Sequence, residues 1–454
     1  MEREFKCPSC GASNEVTNPG VLMRICDYCK TAIYWDKESV LRAGAKSLDL
    51  PPGSRFGVGR VGKITGRGFT VLGRLRYAHE AGHWDEWFIA MDDGEIMWLA
   101  EDEGELFLEK PLVLNSPAPP FDELFAGMQF ALNDEPVMVE ELGEATCVGG
   151  EGQVPFAVEL GEKYKYADGT ATDGGFVFGL EYDERTGAPT AFKGKALSPK
   201  RLKREKAVPG QIQGKYGQVI QCASCGKPFE GKRVDTTKMV VCEACGANLL
   251  LDEAESRVVG KNKGAVPSFG LEIGMPVTIE ETKYEVMGRI LYEEIAEGEQ
   301  YPSRDYVLYE PEKGYLWLTE ENGHFTISVP IHMRVPITAV MTAKASVKVG
   351  NETFRLFERG EQRIAWVDGA LPWVAAVGET TKYAGIIKPP EFIDQEITGT
   401  EVELFRGRYL PRNELVAGLP KGVEPAGTLP LGVHACQPYI PSPWIRGMAI
   451  VGAA

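Results

Sequence analysis

Apolar residues along this chain come in short runs that alternate with polar ones, and almost nowhere at a helical interval. Residues 69–78, 84–91, 137–142, 176–182 and 402–405 are rich in β-branched and aromatic side chains and are separated by Gly, Asp-Gly or Pro. A period of two is that of a strand whose alternate side chains face opposite sides. Many short strands at close spacing predict a mainly β protein with barrel-like or sandwich-like domains. Helix is expected only in short stretches, at 119–126, 37–43 and 252–258.

The pattern runs through the chain twice. VLGRL at 71–75 returns as VMGRI at 286–290, and MWLAEDEGELF at 97–107 as LWLTEENGHFT at 316–326. PFAVELGEKYKYAD at 155–168 returns as PWVAAVGETTKYAG at 372–385, and FKGKAL at 192–197 as FRGRYL at 405–410. Order is kept, so the chain reads as a tandem duplication. Residues shared by both copies, such as Gly73/Gly288, Arg74/Arg289, Trp98/Trp317, Gly104/Gly323, Gly161/Gly378 and Tyr166/Tyr383, have the profile of turns and core.

Cysteine spacing adds a second element to each copy. Eight of the 10 Cys fall into C-x-x-C pairs, Cys7/Cys10 with Cys26/Cys29 and Cys222/Cys225 with Cys242/Cys245. Two such turns supply a tetrahedron of thiolates, the pattern of a structural zinc site, so two zinc ions are predicted. Gly11, Gly226 and Gly246 follow the second Cys of three pairs, where the turn favours positive φ, and Lys30 holds the fourth place. The expected organisation is zinc ribbon 1 at 1–36, a β-barrel-like domain at 50–197 and a basic linker at 198–215. Zinc ribbon 2 at 216–252, a second β-barrel-like domain at 270–411 and a Pro/Gly-rich tail at 412–454 complete it.

Charge and hydropathy narrow the setting. A net charge of −16 opposes non-specific binding to nucleic acid. The start carries no export-type apolar segment, and no run approaches the roughly 20 apolar residues needed to span a bilayer. The expectation is a cytoplasmic protein without a transmembrane segment, reaching the inner membrane through a partner.

Several residues invite a chemical reading. His79-Glu80-Ala81-Gly82-His83 spells the zinc-protease motif, but strand-like runs flank it and the second copy has no His there, so a hairpin tip is expected. Cys147 and Cys436 are unmatched, and Cys147 reads as a buried thiol without a base. Asp85, Glu86, Asp92, Asp93, Glu101 and Asp102 lie among Trp84, Trp87 and Trp98. They read either as a solvated acidic face with hairpin turns, or as a shallow ligand groove built from Trp84, Asp85, Glu86, Trp87 and Trp98 and suited to a cation such as a polyamine. The basic linker offers Lys200, Arg201, Lys203 and Arg204 as partner contacts, and the tail offers Trp444.

The strings VLGRLRY, WDEWFIAMDDGEIMWLAEDEGELF and GEKYKYADG, echoed in the second copy, resemble the bacterial family known as domain of unknown function 4178. The resemblance covers both bodies, roughly 50–197 and 271–410, and carries over no catalytic residues. It implies accessory factors encoded near phage-shock-protein-A-like membrane-remodelling proteins and polyamine-synthesising enzymes, and with them a role in envelope stress or a polyamine-linked modification. The sequence therefore leads to a non-catalytic zinc-binding scaffold or adaptor for such a partner. The alternatives are an enzyme or binder of a small cationic ligand using the first acidic-aromatic groove, and a nucleic-acid binder using the basic linker.

Overall fold

The computed structural model describes residues 3–17, 21–35, 41–48, 50, 56–182, 189–198, 201–204, 218–231, 237–251, 256–296, 299–335, 346–425 and 432–438. In the first copy, eight strands carry the alternating runs: β1 (Arg67–His79), β2 (Gly82–Met91), β3 (Ile96–Asp102), β4 (Glu105–Leu112), β5 (Glu135–Val154), β6 (Lys163–Ala171), β7 (Val177–Tyr182) and β8 (Thr190–Ala196). They form two four-stranded meanders, β1–β4 and β5–β8. The meanders join at both edges, β4 to β8 and β5 to β1, with every pair antiparallel. The sheet therefore closes into a barrel and leaves no free edge within it.

The second copy repeats this arrangement with β9 (Thr282–Ala296), β10 (Glu299–Glu310), β11 (Gly314–Glu321), β12 (His324–Pro330), β13 (Glu352–Leu371), β14 (Thr380–Lys388), β15 (Glu391–Ile397) and β16 (Val402–Leu410). Its order is β9-β10-β11-β12-β16-β15-β14-β13, and β13 returns to β9. The duplication read from the sequence is thus a pair of barrels.

Local chemistry sets the hairpins. Glu103-Gly104 joins β3 to β4 with φ of 46° and 81°, and Asn322-Gly323 joins β11 to β12 with φ of 52° and 81°. Two successive positive φ values make the two-residue turn whose twist matches that of its strands. His79 pairs with Gly82 across the β1–β2 hairpin, so the His-Glu-Ala-Gly-His string is a hairpin tip, as its flanks indicated.

Each four-Cys ribbon is fused to its barrel. The strand Met23–Ile25 pairs with the end of β5, and Met239–Val241 with the end of β13. Where β5 crosses β1, a Cβ on Gly73 would lie 2.3 Å from the Gln153 carbonyl oxygen, so only glycine allows that approach. Met23, Ile25, Ala32 and Tyr34 pack with Leu75, Tyr77, Phe88, Trp98 and Cys147 in one core, so the ribbon stoppers one end of the first barrel. Met239, Val241, Ala247 and Leu249 do the same beside Ile290, Val307 and Tyr309.

Of the expected short helices, residues 37–40 and 252–255 lie outside the described residues, and the described parts form other structure. Leu41–Lys46 and Ser256–Lys261 are third ribbon strands, and of 119–126 only Phe121–Glu123 forms a helical turn. The linker begins as a strand, Leu202–Arg204, paired with Val61–Ile64. The tail opens with helix α1 (Arg412–Gly418), whose Leu415 is buried against Val277 and Ile279. Seven residues at the start of a Pro-rich stretch are too few to show a helical period. Among the described residues no helix is long and apolar enough to cross a membrane.

On the outer face of the first barrel, Asp85 accepts from both Arg74 (2.9 and 2.7 Å) and Arg76 (2.8 and 2.7 Å), with all three side chains buried. Burial alone would raise the Asp85 carboxyl, but the Arg74 and Arg76 guanidiniums outweigh it and hold the group well below the usual carboxylate range. A depressed carboxyl adds stability at pH above about 3.9, and that stability is lost only as pH falls below this value. Asp85→Ala would take the shared carboxylate from two buried guanidiniums, and chemical denaturation at pH 7 should show a loss of about 3–5 kcal/mol. A loss under about 1 kcal/mol would mean that this triad does not hold the barrel wall.

Candidate functional site

Two kinds of site are present. The first is the pair of thiol quartets. Each quartet is carried by two hairpins, Arg3–Lys6 with Ser13–Val16 and Met23–Ile25 with Thr31–Trp35 in the first ribbon. The C-x-x-C turns close with Gly11 N–H donating to the Cys7 carbonyl and Lys30 N–H to that of Cys26, both at positive φ (74° and 59°). The same turns follow Cys222 and Cys242, closed by Gly226 and Gly246. Sulfur–sulfur separations are 3.7 Å for Cys7–Cys29, 3.8 Å for Cys10–Cys26, 3.7 Å for Cys222–Cys245 and 3.9 Å for Cys225–Cys242. Four sulfurs at about 2.3 Å from a tetrahedral ion stand about 3.8 Å apart, so both quartets fit a metal ion. Four protein ligands leave no open coordination place for water or substrate, which makes these sites structural.

The second site is the lumen of the first barrel, a cavity of about 210 Å³. Because side chains alternate along a strand, one residue in two faces inward. Trp84 and Glu86 face the lumen from β2, Trp98 and Asp102 from β3, Glu109 from β4, Glu141 from β5, Tyr164, Tyr166 and Asp168 from β6, and Glu181 from β7. No Lys or Arg lines it among the described residues. Tyr77 and Trp84 stack at 5.1 Å, and Trp84 lies 5.1 Å from Tyr166. Tyr166 donates to Glu141 (2.5 Å) and lies 3.2 Å from His79 Nδ1.

These carboxyl groups border the cavity and are enclosed by the barrel wall. Burial pushes Glu109 up to about 7, with the Glu181 charge adding to it, and burial pushes Glu181 up to about 7. Burial followed by neighbouring carboxylates raises Glu86 and Asp168 well above their ordinary values. Glu86 receives one hydrogen bond, from Trp84 Nε1 (3.3 Å), and its Oε2 has no partner. The buried Trp98 Nε1 has none either.

The structure divides the five groove residues expected from sequence. Trp84, Glu86 and Trp98 share the lumen, whereas Asp85 and Trp87 face outward, Asp85 to its arginines and Trp87 to Phe56 and Glu101. The site is an enclosed lumen, not a shallow groove, because the barrel closes over it. Asp92 and Asp93 do lie in a hairpin turn, with Asp93 paired to Arg67. His79 lines the lumen while His83, of opposite phase across the hairpin, does not, so the two cannot share one ion. Cys147 is buried and its thiol is raised by burial. Of the expected partner contacts, Arg201 is exposed; Lys200, Trp444 and the side chains of Lys203 and Arg204 lie outside the described residues. Glu109, Glu141, Asp168 and Glu181 were missed. The phase of Tyr164, Tyr166 and Asp168 along one strand was the available signal.

The second copy closes the mouth of this lumen. Lys238, from the second ribbon, is buried with its ammonium 2.6 Å from Asp102 and 3.2 Å from Glu103. A Cβ on Gly82 would lie 2.5 Å from the Lys238 side chain, which accounts for glycine at that place in the hairpin. His332 lies between Glu105 (3.1 Å) and Glu140 (3.2 Å). Burial would lower its imidazole, but the two carboxylates reverse this and push it up to about 10, so it is a cation at neutral pH.

A family model described as Domain of unknown function (DUF4178) matches residues 57–199 and 272–412, one match to each barrel. Neither curated proteins nor solved structures give a match to the chain.

Removing one sulfur should empty one quartet. Elemental analysis of Cys7→Ser is expected to show bound metal falling from about two ions per chain to about one, with a lower melting temperature because the first ribbon shares the barrel core. Unchanged metal content would contradict the quartet assignment.

Proposed function

The chain belongs to the family described as domain of unknown function (DUF4178), and for this member we propose a non-catalytic binding role, in which the first barrel holds an organic cation such as a polyamine. Two zinc ions, one in each quartet, hold the ribbons that stopper the barrels. The observation that carries this reading is the lumen itself: six carboxylates, Glu86, Asp102, Glu109, Glu141, Asp168 and Glu181, are enclosed with aromatic faces and no lining Lys or Arg among the described residues. Lys238 and His332 answer only the carboxylates at the mouth, Asp102, Glu103, Glu105 and Glu140; the remaining enclosed negative charge is costly, and a cation that enters recovers that cost as affinity. Tyr77, Trp84 and Tyr166 offer ring faces to the methylenes and ammonium groups of such a ligand.

The arrangement favours spaced charges over a bare metal ion. Among the described residues only the two Cys quartets bring three or more ligand atoms within 4.8 Å of one another. The lumen carboxylates are instead distributed over six strands, which suits several ammonium groups along one chain. This choice over the adaptor reading rests on the lumen, for which the adaptor reading has no use.

Binding should depend on pH in a defined direction. Glu109 and Glu181, pushed up to about 7, are largely neutral at pH 6 and ionised at pH 8. Each carboxyl that must ionise for binding weakens affinity about tenfold at pH 6 relative to pH 8. Without a ligand, raised carboxyls make the fold less stable as pH rises from about 4.3 toward 7. Titration of the metal-loaded chain with spermidine, followed by Trp emission, should give saturable binding at least about tenfold tighter at pH 8 than at pH 6. Flat emission up to millimolar spermidine, or an affinity independent of pH, would overturn the reading.

A further inference from the structure

The second barrel has diverged from the first in its aromatic lining but keeps most of its acidity. Strand register makes the two lumens comparable position by position. Ser303 stands opposite Tyr292 as Trp84 does opposite Tyr77, Thr326 replaces Phe107, and Ser328 replaces Glu109. Four carboxylates nevertheless recur at matching places, Glu86 as Asp305, Asp102 as Glu321, Glu141 as Glu358 and Glu181 as Glu396. All of the second set line a cavity of about 190 Å³ that no Lys or Arg lines among the described residues.

The fifth carboxylate shows more than repetition. In the first barrel Asp168 on β6 is paired with Gly179 on β7; in the second, Gly385 on β14 is paired with Asp394 on β15. The acid and the glycine have changed strands. An Oδ1 atom of Asp168 lies 3.0 Å from where a Cβ on Gly179 would be, and one of Asp394 lies 2.7 Å from where a Cβ on Gly385 would be. Each acid therefore fills the space its glycine partner leaves, and one carboxylate occupies the same place in both lumens. Folding does not call for this: Asp394 is enclosed by protein, meets no hydrogen-bond donor or countercharge among the described residues, and is pushed up to about 8 by burial and then by Glu396. A group that costs the empty fold energy and is still supplied, from whichever strand, points to something that it holds.

We infer that the second lumen is a second binding site for an organic ammonium ligand, so that one chain takes two. It rests on the reading of the first lumen as a cation site. Hydroxyls from Ser303, Thr319, Thr326 and Ser328 stand where the first lumen has Trp84, Ala100, Phe107 and Glu109, so the second lumen accepts a more hydrophilic cation. Residues 432–438 place His434 and Cys436 against its lining, with Cys436 buried beside Ile387, Phe392 and Tyr409.

Calorimetric titration of the full, metal-loaded chain with spermidine at pH 8 separates the two lumens. Wild type should bind two equivalents. Asp394→Asn should weaken one site at least about tenfold and leave the other, Asp168→Asn should do the reverse, and both variants should melt no lower than wild type because a carboxylate without a countercharge is removed from an enclosed cavity. The double change Gly385→Asp with Asp394→Gly, which gives the second lumen the first lumen's arrangement, should restore the second site. One equivalent, sensitive to Asp168→Asn alone, would overturn the second site and leave the first-lumen reading intact. One equivalent sensitive to Asp394→Asn alone would support the second site and remove the first. A folded strand-swap variant that fails to regain binding overturns the inference, and no heat at any concentration removes both readings.

Discussion

A carboxylate enclosed by protein without a countercharge is among the costlier things a fold can hold, and each of these barrels holds several. Closure makes this unavoidable. In an open sheet the polar face would look to bulk water; once β4 meets β8 and β5 meets β1, that face becomes a lumen, and most of its acids face one another without a countercharge. Their ionisation is suppressed as a result, first by burial and then because each charged neighbour adds to the cost of charging the next. The wall tolerates a buried charge where it is paired: Asp85, one residue from Glu86 along β2, lies between two guanidiniums and stays ionised. Adjacent acids on one strand thus have opposite electrostatic fates, decided by which side of the sheet each faces.

The ribbons give the barrels their stoppers. Met23 and Ile25, on the strand that leads directly into Cys26, pack on the lumen-side core, so a metal ion that orders the ribbon also orders the barrel end. The second ribbon does this for its own barrel and also sends Lys238 into the mouth of the first. An ammonium held between Asp102 and Glu103 is the protein's own instance of the chemistry that the lumen offers to a ligand. It also ties the two copies together, alongside the His332 contact with Glu105 and Glu140.

Much of this was legible in the residues. Cysteine spacing marked both quartets, the repeated strings marked two bodies, and short alternating runs marked strands. What alternation could not tell was phase. In Trp84-Asp85-Glu86-Trp87 the pattern says that two residues face one way and two the other, and only the pairings of β5 with β1 and β4 with β8, distant in sequence, say which side is enclosed. For the same reason Glu109, Glu141, Asp168 and Glu181, spread over four strands, did not look like one site. The third ribbon strands were hidden because Leu41–Lys46 and Ser256–Lys261 take their strand character from the ribbons they pair with, not from alternation of their own.

The most direct measurement is a crystal structure of the metal-loaded chain grown with spermidine at pH 8. The account predicts an extended ligand in the first lumen, with ammonium nitrogens at hydrogen-bond distance from carboxylates among Glu86, Asp168 and Glu181 and methylenes against Trp84. A well-ordered lumen containing only water under those conditions would contradict it.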